Sequence, residues 1–376
     1  MKAATLLLIA DSERDANMLY ASRLFVPDPF IYVRHKGQSH LILSDLEMDR
    51  GARSCPDSKI HSLSALRNGA IKQGIKRPEL AHIAAVLLRK LRVRKASVPS
   101  NFPLGSARTL EDALPSLKLS VETPFPERAI KEQHEVRKIQ QILKVTQDGL
   151  AAGIDLIRKA KIQKNGFLVH RNQALTSEQV RAAIHTEISQ NGGIACNTIV
   201  AGGNQACDPH ERGSGKLKAH QPIIIDVFPR SETTGYFGDI TRTVVRGKAS
   251  EAIHEVYHAV GQAQRTGFNE IKEGASARSV HESVQARFEA QGFKTLRRND
   301  HMEGFFHGTG HGLGLDIHEA PGIGSISEDT LRKGHVVTVE PGLYYPGLGG
   351  VRLEDVVVVQ KGKPKKLTNY PHQLEV

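Results

Sequence analysis

The chain has 376 residues, long enough for two domains, and its 39% of hydrophobic residues can fill cores of that size. Lys and Arg number 51 against 40 Asp and Glu, a formal net charge of +11, but the charge is dispersed and the chain has no tryptophan, which argues against the stacking platform of a single-strand nucleic-acid binder. No apolar stretch approaches the roughly 20 residues of a membrane span.

In chain order, the mostly apolar run from Ala3 to Ala10 is short, interrupted by Thr5, and followed by Asp11, Glu13, Arg14 and Asp15. It reads as a strand over Thr5 to Ala10 rather than as a secretory signal. Asp11 to Phe25 reads as a helix capped by Asp11 or Ser12. Phe30 to His35 and His40 to Ser44 form an expected strand pair around Lys36-Gly37-Gln38. Pro78 to Arg92 reads as a helix, with Leu80, Ile83, Val86 and Leu87 on one face. The basic run from Arg89 to Lys95 is the solvated end of that helix. Leu117 to Pro126, which contains Pro124 and Pro126, reads as a linker. It divides the chain into a smaller α/β domain over residues 1–125 and a larger domain over 126–376.

In the larger domain, Glu127 to Ala160 reads as a long polar helix or helix pair. Thr176 with Gln179 is a capping-box candidate for a helix running to about Gln190. Pro222 to Phe228 and Tyr236 to Arg246 read as strands, Ala249 to Phe268 and Ala277 to Gln291 as amphipathic helices, and His335 to Glu340 and Gly350 to Val359 as strands. The basic run from Lys361 to Lys366 reads as a hairpin turn. A helix-helix-strand-strand order occurs twice in loose form, which is compatible with two similar halves. The three cysteines, Cys55, Cys196 and Cys207, give no disulfide framework and point to a reducing compartment, the cytoplasm. Cys207 and His210 have CxxH spacing, but no second motif completes a zinc knuckle.

Five possible metal ligands fall in the last 151 residues: Asp226, Asp239, His311, Glu340 and Glu354. Four carboxylates and one imidazole make a hard, oxygen-rich set, suited to two adjacent divalent ions better than to structural zinc. Asp226 ends the apolar strand Ile223-Ile224-Ile225, and Asp239 lies in its partner strand after a turn; taken singly, either could simply cap a turn. His307-Gly-Thr-Gly-His311-Gly-Leu-Gly-Leu-Asp-Ile-His318 is the strongest local pattern, since glycine permits close backbone approach and histidine supplies ligands and proton carriers. A phosphate loop needs a strand-loop-helix context and a Lys or Ser/Thr after the glycines, which this segment lacks. Glu340 follows Val336 to Val339, and Glu354 follows Val351-Arg352-Leu353. Carboxylates in such places must be paired or metal-bound, with a salt bridge to Arg352 as the alternative.

In motif order these residues resemble the pita-bread metallopeptidases, the family of methionine aminopeptidase, aminopeptidase P and prolidase, over roughly residues 126–376. The smaller domain resembles the N-terminal domain of the Xaa-Pro-cleaving and creatinase-like branch. The resemblance implies an α+β catalytic domain, a curved antiparallel sheet flanked by helices in pseudo-twofold halves, behind a creatinase-like α/β domain. It implies that all five ligands bind two divalent ions, manganese first, with cobalt, iron or zinc as alternatives. It also implies that Glu340 accepts a proton, that His210 orients substrate, that His318 stabilises an oxyanion, that His307 handles substrate or a proton, and that Arg352 is the arginine of the Xaa-Pro branch. The implied activity releases the N-terminal residue from peptides with proline second. A prolidase limited to dipeptides is one alternative. A non-catalytic binding protein on the same fold is another, disfavoured because no ligand is missing. A homodimer acting on peptides, with neither nucleic acid nor membrane as partner, completes the expectation. One departure stands out. Asp226 and Asp239 are thirteen residues apart, about two more than the family spacing. The surplus falls in Pro229 to Gly235, and an even insertion preserves the facing of both strands.

Overall fold

The computed structural model describes residues 5–298 and 300–376. The first two residues of the apolar run from Ala3 thus lie outside the described residues. Contacts divide the chain into two compact units, one ending at Arg128 and the other running from Ala129.

The first unit is built on a six-stranded sheet in the order Lys59–Ser62, Gln38–Leu43, Phe30–His35, Thr5–Ala10, Lys95–Val98, Lys118–Val121. Thr5–Ala10 runs antiparallel to Phe30–His35 and parallel to Lys95–Val98. Its near-continuous apolar character follows from burial on both faces. Leu7 and Ile9 join one core cluster, while Leu6 and Leu8 join another. The helices are α1 (Ala16–Ser22), α2 (Met48–Ser54), α3 (Leu63–Ile71), α4 (Leu80–Lys90) and α5 (Leu104–Ala113). Two expectations need correction. Helix α1 begins five residues later than its sequence pattern suggested, because Asp15, not Asp11 or Ser12, is the N-cap; its carboxylate accepts the Met18 N–H. Asp11 instead accepts from Arg14 N in the preceding turn. The segment read as a linker contains the edge strand Lys118–Val121, in register with Lys95–Val98. Pro124 and Pro126 follow that strand rather than interrupt it, so they leave its ladder intact.

The second unit opens with α6 (Gln133–Lys159), one uninterrupted helix of 27 residues rather than a pair. It packs on α7 (Ser177–Gln190), which starts with the expected Thr176/Gln179 capping box. Gly149 and Gly153 allow the close approach: a Cβ at either would meet an isoleucine Cγ1 of α7, Ile188 or Ile184, at 2.7 Å. Beside this pair lies an antiparallel sheet of Ile199–Gly202, Ile223–Val227 and Ile240–Val244. The order then repeats with α8 (Glu251–Glu270), α9 (Ala277–Ala290) and a five-stranded sheet of Glu319–Ile323, Gly310–Gly312, Val336–Val339, Asp355–Val358 and Lys365–Lys366. Gly342–Tyr345 and Gly349–Arg352 form a separate hairpin. The strand expected over Gly350 to Val359 is therefore two strands in two sheets, with Leu353 and Glu354 at the break. No helix among the described residues is long and apolar enough to cross a membrane.

Candidate metal centre

All nine residues nominated from the sequence line one cavity of about 870 Å³ in the second unit: Asp226, Asp239, His311, Glu340, Glu354, His210, His307, His318 and Arg352. Strand register brings the first two together. Asp226 pairs with Thr241, and Val227 with Ile240. Side chains alternate along a strand, so Asp239, two residues before Thr241, shares the face of Asp226. The longer connection does not disturb this. Its Arg230–Ser231 strand pairs with Gly193–Ile194, Arg230 bridges Phe237, and Gly235 takes φ +76°.

His311 stands between two glycines for a steric reason. A Cβ at Gly310 would lie 2.1 Å from Thr338 O, and one at Gly312 would lie 2.4 Å from Ala320 O. The bare backbone threads between its neighbour strands and leaves the imidazole facing the carboxylates. His311 Nδ1 donates to Gly312 O at 3.1 Å, which leaves the unprotonated Nε2 turned inward with a free lone pair. That atom lies 3.3 Å from Glu340 Oε1 and 3.6 Å from Asp239 Oδ2. One ligand atom each from Asp239, His311 and Glu354 falls within a mutual 4.8 Å.

Asp226 is held differently. Arg352, buried at 3% exposure, donates to Asp226 Oδ2 at 2.7 Å. Arg352, the sequence candidate for a salt bridge to Glu340 or Glu354, is paired with Asp226 instead. Glu354 instead takes the Thr241 hydroxyl at 2.8 Å on Oε2. Arg352 also donates to the Tyr344 hydroxyl at 3.1 Å, and that hydroxyl lies 2.9 Å from His307 Nε2. His307 Nδ1 is 2.8 Å from Gly308 O, so both ring nitrogens are engaged. His210 and His318 are exposed at the cavity wall.

The electrostatics describe an anionic cluster in want of cations. Burial, then the neighbouring Glu354, Asp226 and Glu340, pushes the Asp239 carboxyl well above its usual range. Burial with Glu340 and Asp226 does the same to Glu354, and burial first of all lifts Glu340 to about 8. Burial and His318 lower His311 to about 4, so its imidazole is neutral and able to ligate. Burial and Arg352 lower His307 to about 3. Asp226 Oδ1 and Glu354 Oε1 are buried without a hydrogen-bond partner in the protein. Orphaned carboxylate oxygens in a crowded anionic cluster are costly unless a cation satisfies them. The donor set therefore fits divalent ions.

Thr241, Thr338 and Tyr344 were not anticipated. Thr338 Oγ1 accepts from His311 N at 3.1 Å and lies 3.4 Å from Glu340 Oε1. The signal was present for the threonines: each sits two residues from a carboxylate, Thr338 before Glu340 and Thr241 after Asp239, on the same strand face. Tyr344 carried no such pattern.

A sequence model of metallopeptidase family M24 matches residues 137–361. An Xaa-Pro dipeptidase of Pyrococcus furiosus is 31% identical over 250 residues, 66% of this chain and 65% of that protein. A putative Xaa-Pro aminopeptidase of Mycoplasma genitalium is 30% identical over 244 residues, 63% of this chain and 66% of that protein. Both matches span just under two-thirds of the relative's length. Among solved structures, an X-Pro aminopeptidase from Thermotoga maritima superposes with a TM-score of 0.81 at 22% identity, covering 99% of this chain and 97% of that one. An Xaa-Pro dipeptidase from Bacillus anthracis gives 0.82 at 22% identity, covering 99% and 95%. The fold is the pita-bread arrangement, preceded by a smaller α/β domain.

Proposed function

The chain belongs to metallopeptidase family M24, and on that premise we propose that it hydrolyses the bond between an N-terminal residue and a following proline. The observation that carries this reading is the convergence of two buried carboxylates, two half-buried ones and one neutral imidazole on a single cavity. Asp226, Asp239, His311, Glu340 and Glu354 would hold two divalent ions, manganese by the hardness of the donor set. When bound, the ions supply Lewis-acid activation of a water molecule and of the scissile carbonyl.

The remaining work falls to this chain's own groups. Glu340 takes the proton of the attacking water and returns it to the proline nitrogen. His318, exposed at the cavity wall, donates to the developing oxyanion. His210 orients the substrate from the same wall. His307, with both ring nitrogens engaged, holds Tyr344 and Arg352 in place rather than moving a proton. A tertiary amide has no N–H, so the pocket beyond the scissile bond needs ring contacts and no acceptor.

We take aminopeptidase action as the first reading and dipeptidase action as its alternative; the relatives include both a putative Xaa-Pro aminopeptidase and an Xaa-Pro dipeptidase. Homodimer assembly, to be checked by sedimentation, and a cytoplasmic site of action, in keeping with three unpaired cysteines, belong to the same proposal. The test is manganese-loaded protein on Ala-Pro, Ala-Pro-Ala and Ala-Ala-Ala. Release of alanine from the tripeptide with proline, and little from Ala-Ala-Ala, is expected. Activity on Ala-Pro alone makes the protein a prolidase, and equal activity on Ala-Ala-Ala removes the proline assignment.

A further inference from the structure

Glu340 and Glu354 both sit where a strand stops. Val336–Val339 ends one residue before Glu340, and Asp355–Val358 begins one residue after Glu354. Where a strand stops, buried backbone carbonyls need donors from elsewhere. One side chain serves both places. Gln264 of α8 is 1% exposed, and its Nε2 donates to Val339 O at 3.1 Å and to Leu353 O at 3.0 Å. Those carbonyls belong to the residues immediately before Glu340 and Glu354. The same amide lies 3.3 Å from Asp355 Oδ2.

Asp355 is a fixed anchor. It is fully buried and receives Arg242 at 2.9 Å, Thr368 at 2.7 Å, Lys366 at 2.9 Å and His372 at 3.1 Å. Arg242 adds a bond from Nη1 to Glu354 O at 2.6 Å. Helix α8 is itself pressed against the first strand: a Cβ at Gly267 would meet Val339 Cγ1 at 2.9 Å. Gln264 does not line the cavity. Its amide instead joins two backbone segments whose next residues are the two carboxylates. A shift of either segment relative to the helix strains one of these two bonds, beside the ladder that pairs Val339 with Asp355.

We propose that Gln264 is a positioning residue that sets the separation of the Glu340 and Glu354 carboxylates and thereby the affinity for the second of two ions. The proposal rests on the reading that the cluster holds two ions. It is tested by titrating manganese into metal-stripped protein, following heat and the EPR spectrum. The wild-type chain should take up two ions and give an exchange-coupled pair spectrum. Gln264→Met keeps the side-chain length but removes the donor. It should bind the first ion normally, bind the second about 10–100-fold more weakly, the range for lost outer partners of metal ligands, and show isolated-ion signals. If Gln264→Met does not fold, Gln264→Asn, one methylene short of its acceptors, carries the same expectation. Val260→Ala on the same helix is the packing control and should lower Tm while leaving the second constant unchanged. Two ions bound by Gln264→Met with wild-type constants and a coupled spectrum would overturn the proposal, as would an equal weakening in Val260→Ala. Fewer than two ions in the wild type would instead defeat the two-ion reading itself.

Discussion

His311 illustrates how a single residue is fitted to a task. Its two glycine neighbours solve a steric problem, its Nδ1 bond fixes the tautomer, and burial keeps the ring neutral. Replacing it with alanine removes a donor and little core volume. His311→Ala and Glu354→Ala should therefore abolish peptide hydrolysis while far-ultraviolet circular dichroism stays native; near-normal activity in either would mean that the ligands are misassigned. His318→Ala should retain metal by elemental analysis but lose roughly a hundredfold in kcat, the scale of one oxyanion donor. A different residue sets an acid limit on stability. His40 is 4% exposed in the first unit, its Nδ1 3.0 Å from His61 Nε2. Burial, with His61 and Lys59, depresses it from 6.5 to about 4. The unfolded chain thus binds a proton at this site between about pH 6.5 and 4 that the folded chain refuses. Stability is full above 6.5 and falls through that window. Urea midpoints should drop from pH 7 to pH 4.5, and His40→Gln should flatten the drop; an unchanged slope would remove His40 from the account.

At the scale of elements, glycine positions have opposite signs. Gly153→Ala on α6 forces a Cβ to 2.7 Å from Ile184 Cγ1, and overpacking of this kind costs about 1–3 kcal/mol. Gly105→Ala near the start of α5 meets nothing within 4 Å, and the lost chain entropy of glycine should raise stability by about 0.5 kcal/mol. Thermal denaturation of the two variants should move in opposite directions. A common sign would show that the crowding at Gly153 relaxes or that α5 does not hold its helix. The same contrast separates what the chain made legible from what it hid. The capping box at Thr176, the periodicity of α8 and α9 and the glycines around His311 are local chemistry, readable from neighbours in sequence. The break at Leu353-Glu354 was not, because an unbroken apolar run looks like one strand until tertiary contacts divide it. The edge strand Lys118–Val121 was hidden by the prolines that follow it. Gln264 and Tyr344 carried no sequence pattern at all, since their acceptors and donors come from segments far away in the chain.

At the scale of the second unit, the site draws Asp226 from the three-stranded sheet, Asp239 from the residue before its last strand, and His311 and Glu340 from the five-stranded sheet and its margin, with Glu354 at the break between strands. A ligand that binds only the folded state raises its stability in proportion to its saturation. Chelation should lower Tm and manganese should restore it; a Tm indifferent to both would argue against ions bound at this cluster. The split origin of the proposed ligands also has a consequence in time. Helices such as α6 and α7 close through contacts near in sequence, which form fast, whereas a site drawing on residues from Asp226 to Glu354 must wait for loop closures that form slowly. Ion uptake is then a stopwatch on the final docking of the two sheets. In stopped-flow refolding, helical ellipticity should return before a metal-indicator dye reports manganese capture. The lag between the two signals would measure the docking step, and simultaneous recovery would place docking as early as the helices themselves.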